Sequence, residues 1–521
     1  MLFNLFIIFM CLCAALVCFY TSFGVQLSNL TLNGIHWDPY VHIDIVSLGI
    51  LLMLCVCYGY ACYYTGHYFG GDLAGIELNK IISLFVGVMG VLIFTGDYLS
   101  TLVLWEYLGV VSFFLILFYM NYLSLRSSVV TLVSSRFGDV CLFLIIAVSS
   151  YWVGAEALFA CLFFFVIFTK SAGFPFISWL LEAMRAPTPV SSLVHSSTLV
   201  AAGVWFSMRY DIFNYLNSSS LVFMLGLLIT IFITGVCCFF FLDLKKIVAL
   251  STCNNISWCV VYLICGDAIL ALFQLVTHGV SKCLLFMLVG DVMSGTGGSQ
   301  ASNCVYSPRL YGNWGLFGLY SIILGLSGAP FIGVFFTKHF LLSVFSSTMN
   351  IALVSFVLFC VFLSYFYSFR LCSILSSIET SVTSGVLYSF GSGVMVYFWL
   401  FINYFIASAL DESSAVTSSF SGLLLLFQLL SCFTAYYLYS STLISNWSSC
   451  LFGCDNIVEA SFSIYNNVSK SVSMFFFRWD NQVIGLFQGG GSNYLTILNY
   501  SALNIIMLSL LLFLMCWFIL Y

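Results

Sequence analysis

Residues 157–182 read ALFACLFFFVIFTKSAGFPFISWLLE, an apolar run long enough to cross a membrane that carries Lys170 at its middle. A spanning helix needs roughly 20 mostly apolar residues. A charged side chain at the bilayer centre costs roughly 3 kcal/mol on insertion scales, so such a residue is a candidate for function by default. The same argument selects four more ionisable residues inside apolar runs: Glu106, His195, Lys282 and Lys338.

The whole chain has the composition of a membrane protein. Hydrophobic residues make up 62% of its 521 residues, charged residues only 6%, and the mean hydropathy is +1.11. A soluble protein with this composition would expose too much apolar surface to water. A membrane β-barrel would show short alternating strands instead. We predict an all-α polytopic membrane protein with about 15–16 transmembrane helices. The apolar runs lie at 2–20, 43–65, 80–98, 100–121, 128–150, 157–182, 189–208, 219–242, 245–265, 267–290, 314–337, 349–373, 386–409, 420–440 and 499–521.

The charges and cysteines indicate neither a nucleic-acid partner nor a metal. The net charge of −5 is spread over short loops. The cysteines lie in apolar runs without paired spacing, so we expect them to pack as small hydrophobic side chains. No basic residue precedes Lys80, so the first run is expected to be a retained span rather than a leader. A composition with 55 Phe and only 6 Pro suits an organelle-encoded protein.

Two stretches interrupt the helical pattern in a similar way, and each carries the tripeptide Phe-Thr-Lys. In the first, Lys170 is followed by Pro175; in the second, Pro330 and Gly333 precede Lys338. Proline opens a helix, and open backbone at membrane depth is tolerated only where it is buried or lines a polar cavity. Either break alone could be an ordinary kink, but the pair indicates an internally repeated transporter.

The segment 441–498 is too polar to span a membrane easily. Its apolar residues follow a three-and-four spacing that places them on one helical face. They are Ile457, Ala460, Ile464, Val468, Val472, Phe475, Trp479 and Val483. We expect an amphipathic helix in the membrane interface or along neighbouring subunits. A loosely ordered loop is the alternative.

The most specific string is EAMRAPTPVSSLVHSSTLVAAGVWF at 182–206. Five further motifs accompany it in order: HIDIVSL at 42–48, LWEYLGVVSFFLI at 104–116, SSRFGDV at 134–140, DLKKIVALST at 243–252 and VTHGVSKCLLFM at 276–287. Together they resemble the antiporter-like subunit 5 family of the proton-pumping NADH:ubiquinone oxidoreductase, respiratory complex I, of mitochondrial type. The resemblance covers nearly the whole chain.

This resemblance implies two inverted repeats with broken helices. The expected domains are N-terminal helices at 1–65, a first antiporter-like repeat at 78–208, a second at 219–373, additional helices at 384–440, an amphipathic lateral helix at 441–498 and an anchor at 499–521. The implied location is the mitochondrial inner membrane. The implied partners are the lipid bilayer and the other membrane-arm subunits of complex I.

The function implied by the resemblance is proton translocation coupled to electron transfer from NADH to ubiquinone in partner subunits. NAD, FMN, iron–sulfur clusters and ubiquinone would belong to the whole complex, because this chain carries no glycine-rich dinucleotide motif, cysteine ligand set or haem motif. One alternative is the large subunit of an Mrp-type sodium/proton antiporter, which shares these motifs but usually continues into further C-terminal spans. Another is a structural membrane subunit without transport.

Glu106 and Lys170 are implied to work together in the first repeat. Burial disfavours the charged form of a lysine and a nearby carboxylate favours it, so a balanced lysine could load and release a proton when its partner moves. There are plain alternatives for both residues. Glu106 could cap a helix, and Lys170 could extend to the membrane interface.

Gln274, His278 and Lys282 are four residues apart and share one helical face, which suits a proton or water wire. The family often has a second histidine where this chain has Gln274, so the relay here would rely more on ordered water. His195 is another candidate carrier, although a lone buried histidine is usually an ordinary core residue. Lys245 matches the family's bridging lysine between two half-channels.

Lys338 matches the lysine of the second broken helix, where the family usually has an acidic residue next in sequence. This chain has His339 there, and an imidazole, which titrates near neutral pH, could serve as the exit group.

Two local ion pairs are expected from charges three residues apart. Arg136 and Asp139 form the first, and Asp243 and Lys246 the second. Asp139 could serve structure or proton transfer equally well, while Lys246 is expected at the interface.

Overall fold

A computed structural model of the chain is nearly all-helical, which confirms the predicted fold class. It divides into two compact units, Met1–Cys454 and Asp455–Tyr521. The residues described by the structure are 22–27, 30–32, 35–37, 39–151, 156–210, 220–294, 298–304, 312–329, 334–348, 350–376, 399, 418–438, 451–487 and 500–520.

Most helices of the described residues overlap the predicted apolar runs, but the helix Val334–Thr348 lies mainly between the runs predicted at 314–337 and 349–373. In the first unit they are α1 Ile45–Tyr68, α2 Leu73–Ile93, α3 Tyr98–Leu117, α4 Tyr122–Tyr151, α5 Glu156–Lys170, α6 Ser178–Glu182, α7 Thr188–Val194, α8 Leu199–Arg209, α9 Ser220–Phe240, α10 Leu244–Ile264, α11 Ala268–Ser294, α12 Gly312–Ser327, α13 Val334–Thr348, α14 Ile351–Ser376 and α15 Ser418–Leu438. The second unit contains α16, which begins at the boundary (Cys454–Phe487), and α17 Tyr500–Leu520.

Nine spans within the described residues are long and apolar enough to cross a membrane. Shorter apolar helices occupy four further stretches: Leu158–Lys170, Phe317–Ser327, Ser421–Ala435 and Asn504–Cys516. The predicted run at 2–20 lies outside the described residues, as does all of 386–409 except Trp399.

Four short strands precede α1 and form two antiparallel pairs. Strand β1 (Phe23–Gln26) pairs with β4 (Tyr40–Ile43), and β2 (Leu30–Leu32) pairs with β3 (Ile35–Trp37). Hydropathy does not predict them, because each strand is only three or four residues long.

The first predicted helix break is confirmed. Helix α5 ends at Lys170 and α6 begins eight residues later. The opened backbone is buried and satisfied from neighbouring side chains: the Trp179 indole donates to the Thr169 carbonyl at 3.0 Å, and the Cys253 thiol to the Ala172 carbonyl at 3.1 Å. Pro330 and Gly333, the residues of the second predicted break, lie outside the described residues between α12 and α13.

A third interruption is not predicted from the sequence. The run 189–208 was expected to be one continuous span, but α7 ends at Val194 and α8 begins at Leu199. The hydroxyls of Ser196 and Thr198 donate to carbonyls of the preceding turn. Serine and threonine side chains can replace helical hydrogen bonds in this way, so the helix opens without proline or glycine.

Helices α10 and α11 form the centre of the first unit. Both are buried on almost every side, whereas α2 and α4 bury a much smaller part of their surface. A helix that is apolar and enclosed all round is a core helix of a membrane bundle. Polar side chains on α10 and α11 are therefore held away from lipid.

In the second unit, α16 is one continuous helix of 34 residues. The alternative of a loosely ordered loop is therefore wrong for residues 454–487. The apolar face predicted for this segment is exposed within the unit: Ile464 is 64% and Trp479 57% accessible. The glycines at 489–491 lie outside the described residues.

Candidate functional site

The first cluster surrounds Lys170, the last residue of α5. Its side chain is fully buried, and its Nζ lies 5.0 Å from the ring centroid of Trp105 on α3. A cation over an indole face regains part of the stabilisation that burial removes. Lys170 Nζ has no hydrogen-bond partner among the residues that the structure describes. The interactions of this amino group with its surroundings are therefore electrostatic rather than a fixed hydrogen bond.

Three charged side chains on α3 and α4 supply that charge. Arg136 donates to a carboxylate oxygen of Glu106, and its Nη1 lies 3.4 Å from Asp139 Oδ2. Asp139 is buried, and its carboxylate acts electrostatically on Lys170. The predicted Arg136–Asp139 pair is confirmed. Glu106 pairs with Arg136 in this structure, and its interpretation as the carboxylate partner of a lysine stays a prediction.

A close approach of two helices brings the carboxylate to the lysine. Gly138 precedes Asp139 on α4 and faces the end of α5, where a Cβ would overlap the hydroxyl of Thr169. The absence of a side chain lets α4 lie directly against the residue before Lys170. The motif SSRFGDV thus carries both the acid and the space that the acid requires.

His195 follows the last residue of α7 at the unpredicted break, and Lys245 lies at the start of α10. The imidazole is buried between the rings of Trp179 and Phe286, at centroid distances of 6.4 and 6.5 Å. Lys245 is also buried, donates from Nζ to the Ala186 carbonyl at 3.3 Å, and acts electrostatically on His195. The structure therefore brings these two predicted residues together.

The predicted stripe on α11 is entirely buried. Lys282 donates to the hydroxyl of Ser251 on α10. Neither ring nitrogen of His278 has a hydrogen-bond partner within the described part of the chain. Gln274 accepts from Thr337 Oγ1 at 2.8 Å, so its amide oxygen joins α11 directly to the Phe-Thr-Lys motif on α13. The expected reliance of the relay on ordered water at this position stays a prediction.

Lys338 forms the second lysine cluster. Its Nζ donates to the Ser327 carbonyl and to Ser364 Oγ, both at 2.6 Å, and lies 4.8 Å from the ring centroid of Tyr365. The Ser327 carbonyl belongs to the last turn of α12, where a helix leaves carbonyls without intrahelical partners. The ammonium is therefore bound by neutral oxygen atoms.

The remaining predicted residues lie at the edges of these clusters. His339 is buried, and its ring centroid lies 5.4 Å from that of Phe335; its role as an exit group stays a prediction. Lys246 is partly exposed and pairs with Asp243 at 3.4 Å, which confirms the second local ion pair.

Several residues that hold the lysines were missed from the sequence. They are Trp105, Ser251, Ser327, Ser364 and Tyr365. Trp105 alone had a local signal, because it precedes Glu106. The pair formed by the partly exposed His67 on α1 and the buried Asp291 on α11, joined at 3.1 Å, was missed as well.

Comparison with known proteins finds a matching family and relatives for the chain. Residues 95–364 match the family described as "NADH:quinone oxidoreductase/Mrp antiporter, TM". The chain is 31% identical to NADH-ubiquinone oxidoreductase chain 5 of Ascaris suum over 385 residues, covering 70% of this chain and 68% of that protein. It is 34% identical to the chain 5 protein of Aedes aegypti over 347 residues, covering 63% of this chain and 59% of the relative.

Two solved structures share the fold. The Mrp complex from a Dietzia species aligns with a TM-score of 0.71 at 20% identity, covering 88% of this chain and 56% of that chain. An archaeal membrane-bound sulfane sulfur reductase aligns with a TM-score of 0.64 at 14% identity, covering 84% of this chain and 92% of that chain.

Proposed function

Because the chain belongs to the NADH:quinone oxidoreductase/Mrp antiporter membrane family, we propose that it is a proton-translocating membrane subunit of respiratory complex I. Electron transfer from NADH to ubiquinone would take place in partner subunits, which would hold FMN and the iron–sulfur clusters. The proposed location is the mitochondrial inner membrane, with the other membrane-arm subunits as neighbours. Organelle encoding is part of the same proposal.

The observation that carries this function is a set of four buried lysines on packed helices. Lys170, Lys245, Lys282 and Lys338 are each at most 5% exposed. Burying one ammonium without full compensation is costly, and a purely structural bundle gains nothing from four. Burial of each lysine is explained if the lysine alternates between its charged and neutral forms and so carries protons.

In the first cluster, the proton affinity of Lys170 depends on how Arg136 divides its charge between two carboxylates. When Arg136 lies closer to Glu106, Asp139 is less neutralised and stabilises the ammonium form of Lys170. When Arg136 moves to Asp139, that stabilisation weakens and Lys170 releases its proton toward neighbouring water or histidine. A displacement of one guanidinium thus loads or unloads the lysine.

Proton transfer through the centre would pass Lys245, His195, Lys282 and His278 on the way to Lys338. Both ring nitrogens of His278 and Nδ1 of His195 have no hydrogen-bond partner among the described residues. This supports the proposal, since a buried polar atom without a protein partner is a place for a transient water or proton. Substitution of the residues in this series tests the path.

The test is Lys170→Met in the intact complex reconstituted into vesicles, with NADH oxidation and proton uptake measured together. We expect proton uptake to fall at least about tenfold, equivalent to roughly 1.4 kcal/mol or more of lost stabilisation. Lys80→Met is the control, because Lys80 is an exposed residue paired with Glu77. Full uptake with normal oxidation would remove Lys170 from the transport mechanism.

An Mrp-type sodium/proton antiporter subunit is the second candidate, supported by the shared fold with the Dietzia Mrp complex. Native gel electrophoresis separates the two. We expect the protein to migrate with flavin-containing NADH dehydrogenase activity. Migration with a flavin-free complex that exchanges sodium for protons would favour the second candidate.

A further inference from the structure

A cavity of about 520 Å³ opens at one end of the first unit. Helices α1 and α11 end there, and α7 and α10 begin there. Six of the residues that line it carry the argument: Tyr64, His67, Thr188, Lys245, Gly290 and Ser294. Its volume is sufficient for several water molecules, each of which takes about 30 Å³ in the liquid.

One wall of this cavity holds an ion pair that the proton path described above does not use. His67 Nε2 lies 3.1 Å from Asp291 Oδ1. The Asp291 side chain is 1% exposed, whereas that of His67 is 19% exposed. The imidazole therefore stands between the buried carboxylate and the open cavity.

The cavity also reaches the central lysines. Lys245 lines it, although only 5% of this side chain is exposed. The same lysine acts electrostatically on His195, at the break between α7 and α8. Water in the cavity would thus contact the outermost member of the buried series on one side and the His67–Asp291 pair on the other.

We propose that this cavity is the aqueous chamber through which protons reach Lys245, with the His67–Asp291 pair as the group that takes them from water. The inference rests on the proposed function and adds to it the site of proton uptake. His67 accepts a proton on a ring nitrogen, and Asp291 compensates the imidazolium charge. The proton then passes through cavity water to the neutral amine of Lys245, and His67 returns to its neutral form.

Other polar and charged groups face this pair and influence its affinity for a proton. Tyr64 and Tyr68 lie beside it on α1, with the Tyr64 ring centroid 6.0 Å from that of His67. Lys245 is the cationic group that faces the same cavity from α10. The loaded forms of His67 and Lys245 repel each other, which favours onward transfer over accumulation of two charges.

The test uses the intact complex in vesicles and compares Asp291→Asn and His67→Gln with wild type. We expect either variant to reduce proton uptake to the level of Lys170→Met, and Asp291→Glu to restore most of it. Asp243→Asn is the matched control, because it removes a partly exposed carboxylate of a neighbouring ion pair. Should a variant of the pair fail to assemble, Ser294→Trp at an exposed cavity residue blocks the chamber and keeps both side chains of the pair. It removes only the hydrogen bond from the Ser294 hydroxyl to the Asp291 backbone carbonyl.

Unchanged uptake in His67→Gln or in an assembled Asp291→Asn complex would overturn the inference, as would an equal loss in Asp243→Asn. Unchanged uptake in Ser294→Trp would also overturn it. These outcomes are distinct from failure of the proposed function, which is signalled by normal uptake in Lys170→Met. Loss in Lys170→Met together with normal uptake in the cavity variants would leave the subunit a proton carrier with its uptake site elsewhere.

Discussion

The two Phe-Thr-Lys motifs place their lysines in surroundings that match in one respect and differ in another. Lys170 and Lys338 are both buried over an aromatic ring, at 5.0 Å from Trp105 and 4.8 Å from Tyr365. Lys170 has charged neighbours and no hydrogen-bond partner in the described part of the chain. Lys338 has two hydrogen bonds to neutral oxygens and, among the described residues, no ion pair with a carboxylate.

This difference indicates that two kinds of motion can change the protonation of the lysine in the same motif. At Lys170, a rearrangement of charges changes the field on the ammonium, and charge interactions act over several ångströms in a low-dielectric interior. At Lys338, the stabilisation comes from direct contacts, which are lost only when the Ser327 carbonyl or the Ser364 hydroxyl moves away. We therefore expect long-range coupling at the first site and local backbone control at the second.

The largest expected effect comes from Lys338→Arg. Arginine keeps the positive charge but does not release its proton near neutral pH. If Lys338 carries protons, uptake should fall at least about tenfold, as for its replacement by methionine. If the charge alone mattered, uptake would persist. Proton uptake by vesicles containing the intact complex distinguishes the two, with Lys80→Arg as the exposed control.

Asp139→Asn tests whether Lys170 depends on the charges around it. The substitution removes the carboxylate that favours the ammonium form of Lys170 and leaves Arg136 paired with Glu106 alone. We expect a loss of about tenfold in proton uptake, because removing one close charge is worth roughly a pKa unit or more.

Asp139→Glu should recover part of this activity, since it restores the charge at a slightly different distance. Asp72→Asn is the control, because Asp72 is exposed and its side chain makes no capping hydrogen bond. A normal rate in Asp139→Asn would show that the first lysine does not depend on this acid.

Local patterns predicted the lysines but not the atoms that hold them. Lys170 and Pro175 predict a polar interruption of the helix, because a charged residue and a proline are unusual in an apolar run. Ser251 and Ser364 are ordinary residues in the sequence, and their role arises only when α10 and α14 are packed against their neighbours. Tertiary contacts of this type leave no periodic signal.

The partner of Glu106 and the opening at His195 could not be predicted for related reasons. From the sequence, Glu106 could pair with Lys170 or with Arg136, and the packing of α3 against α4 places it beside Arg136. The break at 195–198 lacks proline and glycine. It depends instead on hydroxyls, which favour a helix or oppose it according to the carbonyls within reach.

Ser364→Ala tests whether Lys338 depends on its direct hydrogen bonds. It removes one of the two hydrogen bonds to Lys338 Nζ and leaves the Ser327 carbonyl in place. A single hydrogen bond contributes about 0.5–1.5 kcal/mol, or more when one partner is charged, so we expect a change of roughly two- to tenfold in proton uptake. Ser355→Ala on the same helix is the control, because its hydroxyl is exposed and bonds only to the Ala352 carbonyl. An effect as large as that of Lys338→Arg would contradict a shared role for the two oxygens.

The smallest expected effect is that of Gln274→His, which addresses the connection between the two lysine clusters. Gln274 accepts from Thr337, next to Lys338, and a neutral imidazole nitrogen can accept the same hydrogen bond. We expect proton uptake within about twofold of wild type, because a single neutral bond is conserved. Gln274→Leu removes the acceptor and should lower uptake further. Equal rates for the two variants would mean that the bond between α11 and α13 does not take part in transfer, and a large gain for histidine would mean that a titratable group was limiting at this step.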